Sequence, residues 1–219
     1  MNPPDEPPID AKTVKYGSAD GVLDQAEAAA NFSEAGYVAA YFDLKKFHFA
    51  SDLFGFYLGD NGPDARYRMT EAQIRQVYAT NDVKAKTNDG VNQIKDMVRA
   101  ANAVGCYSLH TDWMVTFPTD DSDVANALGH FSTAVAADVT VTKADGQDKL
   151  HVNAQLALFI YDYYNFDQPR QFGLSDPEYS LKTNIDADMR QLEAAGWARS
   201  FRVSGNTQNL IPMSWEGYL

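Results

Sequence analysis

The sequence predicts an α+β fold in which a helical N-terminal half is followed by an antiparallel, partly barrel-like β-sheet with a short C-terminal helix. Up to Gly105, apolar residues recur at the spacing of helices. After Gly105, apolar and polar residues alternate as they do in strands, and a short helical pattern returns near the C-terminus. Helices first and strands later are typical of an α+β domain.

The length and composition fit one domain. The chain has 219 residues, of which 45% are hydrophobic and 22% charged, and this is sufficient for a single buried core. Residues 16–219 are expected to form that domain, with a helical part over 20–105 and a β-rich part over 106–219. The opening MNPPDEPPID is acidic and rich in proline, so residues 1–15 are predicted to be an extended leader or linker.

Four helices are predicted in the first half from their spacing and end signals. LDQAEAAANFSEAG is expected to end at Gly36, and FHFASDLFGFYL to end before Gly59. TEAQIRQVY opens with Thr70 and Gln73 in capping-box positions. NDGVNQIKDMVRAANAVG is expected to end at Gly105. The inward face of this fourth helix is predicted to consist of Val91, Ile94, Met97, Val98 and Ala101.

The strands follow in order. CYSLHTDWMVTFP is predicted as one strand, and HFSTAVAADVTVT and KLHVNAQLALFIYDYY as a hairpin that turns at Asp145 and Gly146. Even positions from Leu150 to Ile160 are apolar and the odd ones largely polar, which predicts one packed side and one solvated side. A short helix over Asn184–Ala195 and a closing strand, WARSFRVSG, complete the fold.

The acidic balance limits the classes of partner. A net charge of −12 argues against general binding to nucleic acid or to anionic lipid, and is compatible with a divalent cation or a basic partner surface. The sequence contains no signal peptide and no apolar run of membrane-spanning length, so no transmembrane segment is predicted. Because Cys106 is the single cysteine, an intrachain disulfide and a cysteine metal cluster are excluded.

The end of the second hairpin arm, FIYDYYNFDQP at 159–169, is dense in aromatic and acidic residues. If the alternation continues, Asp162 lies on the packed side, where a carboxylate is costly unless it is hydrogen-bonded or bound to a cation. Asp162 and Asp167 are therefore candidate ligands for Mg²⁺ or Ca²⁺, with Asn165 as a further oxygen donor. Two alternatives remain: Asp162 accepts backbone N–H bonds at the strand end, or a bulge turns it outward.

A second acidic stretch, TDDSD at 119–123, follows a strand and a proline. Its carboxylates resemble those of a cation-binding loop. It lacks the ligand spacing of an EF-hand, so a solvated loop is the alternative interpretation.

The residues from ALGHFSTAVAADVTV through FIYDYYNFDQP to ARSFRVSG resemble the C-terminal toxin domains of secreted bacterial proteins, the colicin M family in particular. That family enters the periplasm of a target cell and hydrolyses a lipid-linked peptidoglycan precursor with a divalent cation. Its signature is Asp-x-Tyr-Asp followed by a His-Arg pair. Asp162 and Tyr164 match the first Asp and the Tyr, whereas Asn165 stands at the second Asp and no histidine follows.

The resemblance implies the candidate catalytic residues Asp162, Tyr164, Asn165 and Arg170, with Asp167 replacing the lost carboxylate, Tyr164 orienting substrate and Arg170 meeting phosphate. It also implies a lipid-linked envelope substrate, an immunity protein as partner, and delivery to a target periplasm from the producing cytoplasm without a signal peptide. Asn165 cannot act as a general base, because an amide has no basic lone pair. Two main functions therefore stay open: a cation-dependent phosphoester or pyrophosphate hydrolase, and a non-catalytic toxin domain that perturbs envelopes or binds a partner. An accessory or storage protein without toxicity is a third.

Overall fold

The mixed α+β architecture is present in the computed structural model, which describes residues 1–9, 14–144, 149–166 and 185–219. In the described ranges, four helices lie in the N-terminal half, and two more lie between strands of the second half. The helices of the described ranges are α1 (Val22–Lys45), α2 (His48–Leu58), α3 (Glu71–Ala79), α4 (Asn81–Ala101), α5 (Ser122–Leu128) and α6 (Ile185–Ala194). The strands are β1 (Arg66–Arg68), β2 (Gly105–His110), β3 (Met114–Thr116), β4 (Phe131–Lys143), β5 (Leu150–Tyr164), β6 (Phe201–Asn206) and β7 (Met213–Tyr218).

The seven strands form one open, mostly antiparallel sheet. β4 and β5 form its centre, β2 and β3 pair with the free side of β4, and β6 and β7 pair with the free side of β5. β1 is added in parallel beyond β6. A barrel needs a ladder between its two edges, and in the described part of the chain β1 and β2 are not paired. The barrel-like closure predicted from the sequence is therefore not found; β1, with three residues, is a short edge strand.

One side of the sheet packs against the helices, as the alternation predicts. Along β5, every even position from Val152 to Tyr164 is buried, whereas Asn153 and Gln155 are exposed. The apolar residues of the buried row join side chains from all six described helices in one core. The predicted turn at 145–146 lies outside the described residues.

Helix α1 continues past Gly36, the residue expected to end it. It extends to Lys45 because Ala35, Val38 and Phe42 are buried on one face of the helix. Burial of these apolar side chains outweighs the cost of one internal glycine, which is about 1 kcal/mol. No helix in the described ranges combines the length and apolar character that a membrane crossing requires.

Helix α4 begins at Asn81, before the start that the sequence predicts, and ends at Ala101 rather than near Gly105. Of the predicted inward residues, Ile94 and Val98 are buried and Val91 is half-buried, whereas Met97, at 39% exposed, and Ala101 lie outside the buried stripe. The residues that α4 buries are Val83, Thr87, Gly90, Ile94 and Val98. By contrast, the capping box at α3 and the end of α2 at Gly59 are as predicted.

The single strand predicted after Gly105 is two strands, β2 and β3. Between them Thr111 bonds to Val135 of β4 twice, through its own N–H at 2.9 Å and through its hydroxyl, which accepts from the Val135 N–H at 3.1 Å. Helix α5 and strands β1 and β7 were not predicted. The late helix is present as α6, which buries Ile185, Met189 and Leu192; Asn184, its predicted first residue, lies outside the described ranges.

Gly90 marks a close approach between α4 and β4. A Cβ atom at this position would lie 2.5 Å from Val135 Cγ2. We expect Gly90→Ala to lower the free energy of unfolding by about 1–3 kcal/mol because of this overlap, although alanine is the better helix former. The matched control is Gly36→Ala in α1, where nothing lies within 4 Å; it should raise the free energy by about 0.5–1 kcal/mol. Urea unfolding measures the free energy of unfolding of both variants. Equal changes in the two variants would contradict the close approach of α4 to β4.

Candidate functional site

Asp162 lies near the end of β5, beside Val203 of β6. Its side chain is 8% exposed and lies on the packed side of the sheet, as the alternation predicts. β5 and β6 pair in unbroken register from Phe159 to Tyr164, so the alternative in which a bulge turns Asp162 outward is wrong. A carboxylate in this position must be compensated by polar or cationic contacts, because burial disfavours its charged form.

Tyr164 is part of an aromatic cluster in the core, formed by Tyr57, Tyr164, Phe166 and Phe201. Its side chain is 1% exposed. The ring stacks on Phe201 with centroids 5.0 Å apart and meets Phe166 edge-on at 5.7 Å. Tyr57 of α2 lies 6.0 Å away, and its hydroxyl donates to the carbonyl of Met189 on α6 at 2.8 Å. The cluster therefore joins the end of β5 to two helices and fixes the backbone next to Asp162.

The remaining predicted site residues follow β5. Asn165 comes directly after the strand and is half-buried, whereas Asp167 and Arg170 lie outside the described residues. Asp162 carries a carboxylate on the packed side of β5, and Asn165 carries an amide oxygen in the segment after the strand; these are donor types that Mg²⁺ and Ca²⁺ prefer. Within the described ranges no three Asp, Glu, His or Cys side chains form a group that could hold a metal. The donor chemistry fits a hard cation, and a second carboxylate would have to come from Asp167.

The acidic stretch at 119–123 holds helices together. Asp120 accepts from the first N–H of α4 at 2.9 Å, and Asp121 caps α5 at 3.0 Å. Asp123 accepts from two backbone N–H groups in the first turn of α2, at 3.2 and 2.9 Å. Helix N-termini leave such N–H groups unpaired and favour negative charge. Each of the three carboxylates thus accepts hydrogen bonds from a helix N-terminus. These bonds explain why three aspartates occur close together in the sequence without a bound cation.

Replacing Asp123 by alanine is expected to lower the free energy of unfolding by about 1–2 kcal/mol, because two N–H groups of α2 lose their acceptor. Urea denaturation followed by circular dichroism measures the change. The control is Asp96→Ala, which removes an exposed carboxylate paired with Arg99 at 2.8 Å and should change stability by less than about 0.5 kcal/mol. A loss no larger than that of the control would show that α2 does not depend on this cap.

A further group of charged residues, which was not predicted from the sequence, lies on the other side of the sheet. Arg66 and Arg202 are neighbours on β1 and β6, and the carboxylate of Glu6 contacts both. Each strand alone could have been recognised, because basic or polar residues alternate with apolar ones in RYR at 66–68 and in FRVS at 201–204. Their proximity could not be inferred, because a three-residue strand has too little pattern to reveal its partner.

No protein-family model and no curated protein sequence matches the chain. Among solved structures it is similar to that of PaeM, a colicin M-like bacteriocin produced by Pseudomonas aeruginosa, with 13% sequence identity and a TM-score of 0.41. The similarity covers 78% of this chain and 51% of the bacteriocin chain, so this chain spans about half the length of that protein. A similarity this distant does not assign an activity, and the function depends on the chain's own residues.

Proposed function

We propose that this protein is an antibacterial effector domain that acts on the cell envelope by cation-dependent hydrolysis of a lipid-linked phosphoester or pyrophosphate, such as a peptidoglycan precursor. The observation that carries the proposal is the position of Asp162. Its carboxylate is 8% exposed at the end of a central strand, within an Asp162-x-Tyr164-Asn165 segment that resembles the signature of the colicin M family.

In the proposed hydrolysis, a few residues have separate roles. A divalent cation would neutralise phosphate charge and activate water, and Asp162 with Asp167 would hold it. Arg170 would pair with a phosphate oxygen. Because the Tyr164 ring is buried between its neighbours, its contribution is to hold the end of β5 in place, with substrate contact limited to its hydroxyl. Asn165 would be a neutral donor or ligand and not a base.

The direct experiment incubates the purified protein with lipid-linked peptidoglycan precursor in Mg²⁺, in Ca²⁺ and in chelator. We expect cleavage at a phosphate bond only in the presence of a cation. A parallel experiment induces expression in a bacterium with and without an export signal, and growth should stop only after export. Absence of cleavage under all conditions would reject the hydrolase, and absence of toxicity in both compartments would reject the effector.

The second candidate is a non-catalytic toxin domain that perturbs envelopes or binds a partner. The burial of Tyr164 and the amide at position 165 favour it, because both weaken the catalytic set. This alternative predicts membrane depolarisation without loss of precursor. Precursor loss without depolarisation would support the hydrolase instead. An immunity protein is a proposed partner in either case, and co-purification from the producing strain tests for it.

A further inference from the structure

The side of the sheet that faces away from the helices carries a cluster of arginines. Arg66 and Arg202 are direct neighbours on β1 and β6, and Arg68 lies beside Ser204 two residues on. Side chains two residues apart on a strand share a face, so the three guanidinium groups lie on one side. In a chain with 18 basic and 30 acidic residues, three arginines on one surface form a local concentration of positive charge.

A cleft of about 270 Å³ opens between these strands and the N-terminal segment 1–9. Its lining includes Arg68, Tyr161 and Ser204, together with Glu6 of the segment. We call this site the arginine cleft and include in it Arg66 and Arg202, which do not line the cleft but contact its lining residue Glu6. The indole of Trp113 packs against the Tyr161 ring at 5.8 Å and donates to the carbonyl of Asp5 at 2.8 Å, which holds the segment over the cleft.

The carboxylate of Glu6 is the anion that contacts Arg66 and Arg202 in this structure. Its Oε1 lies 2.7 Å from Arg66 Nη1 and its Oε2 lies 2.9 Å from Arg66 Nη2, a two-point contact of the kind that guanidinium groups make with carboxylate and phosphate. The same Oε2 lies 3.7 Å from Arg202 Nε. Because the Glu6 side chain is 42% exposed, this pair is a surface interaction that a stronger anion can displace.

Tyr161 adds an unused donor. Its side chain is 5% exposed, and its hydroxyl is buried without a hydrogen-bond partner of regular geometry among the described residues. Burial raises the pKa of this phenol, and the Glu6 carboxylate raises it further against the lowering effect of Arg202. The hydroxyl is therefore protonated at neutral pH and able to donate. A buried donor is costly to leave unpaired, so the cleft is incomplete with Glu6 alone.

The geometry points to the arginine cleft as a binding site for a phosphate or diphosphate group, with Glu6 occupying the position of the anion when no ligand is bound. A phosphate group offers three acceptor oxygens where a carboxylate offers two. It can engage the Arg66 fork, Arg202 and the Tyr161 hydroxyl together. The site lies on the opposite face of the sheet from Asp162 and does not depend on the proposed hydrolysis.

The test is calorimetric titration of the full chain with inorganic diphosphate. We expect Glu6→Gln to bind about three- to tenfold more tightly than the unmodified protein, because the internal competitor is lost. Within the Glu6→Gln protein, Arg202→Met should weaken binding by about tenfold or more. Glu216→Gln, which removes a carboxylate from β7 on the same sheet, is the control for charge alone and should leave the affinity unchanged.

Tyr161→Phe separates binding from folding. Loss of an unpaired buried hydroxyl should leave the melting temperature unchanged or raise it, while diphosphate affinity falls about three- to tenfold. Vesicles of phosphatidylcholine with and without phosphatidic acid distinguish a lipid headgroup from a free phosphate. Absence of binding to both probes, or binding that neither Glu6→Gln nor Arg202→Met alters, would overturn the proposal and leave the cleft as an anchor for segment 1–9.

Discussion

If the proposed hydrolysis is correct, the Asp162→Asn protein is expected to cleave the lipid-linked precursor about 10²–10⁴-fold more slowly, because the cation that activates water loses a carboxylate ligand. Asparagine preserves the size of the side chain but removes its charge, so it can neither act as a base nor neutralise a cation. The side chain is 8% exposed, which leaves little room for water to replace the lost carboxylate oxygen. Turnover per folded molecule, measured at saturating Mg²⁺ and Ca²⁺, is the appropriate readout.

Asp138→Asn provides the matched control. Asp138 lies on the adjacent strand β4 but on the exposed side, with 55% of its side chain accessible. Its replacement changes the net charge by the same amount and should leave turnover unchanged. If Asp162→Asn only lowers the melting temperature while toxicity per folded molecule persists, Asp162 is structural and the non-catalytic alternative is favoured.

Replacing Tyr164 by alanine is expected to lower the free energy of unfolding by about 3–5 kcal/mol, the usual cost of removing a large ring from a packed core. The effect is large because the Tyr164 ring stacks on Phe201 of β6 and also contacts Tyr57 of α2. Urea or thermal unfolding measures it. Tyr37→Ala in α1, where the ring is 70% exposed, should change stability by less than about 0.5 kcal/mol.

Tyr164→Phe separates the ring from the hydroxyl. The phenylalanine retains the stacking, so most of the loss seen with alanine should disappear. If turnover also remains, Tyr164 acts through packing alone. A fall in turnover without a fall in stability would assign the hydroxyl to the substrate.

Local signals in the sequence were sufficient to predict several structural features correctly. Thr70 and Gln73 form the predicted capping box because both partners lie within one turn. The row of even-numbered residues in β5 placed Asp162 correctly because side-chain direction in a regular strand depends only on parity. In each case neighbouring residues determine the outcome, and a single sequence contains them.

Other features depend on contacts between distant parts of the chain. Gly36 would end an isolated helix, but burial of Val38 and Phe42 extends α1 past it. The role of Asp123 is set by Phe49 and Ala50 in the first turn of α2, which precede it by 74 and 73 residues. The arginine cleft likewise needs Glu6 and Arg202 to meet across nearly the whole chain. Such contacts are tertiary and leave no periodic pattern to recognise.

The parallel pairing of β1 with β6 has a consequence for biosynthesis. A ribosome that adds about 5–20 residues per second completes β6 on the order of ten seconds after β1 has been made. During that interval the nascent strand Arg66–Arg68 has no pairing partner, and after β5 has been made its edge also remains unpaired until β6 is complete. Unpaired edges recruit incorrect neighbours. A truncated polypeptide that stops before Phe201 should therefore aggregate rather than accumulate as a stable helical fragment.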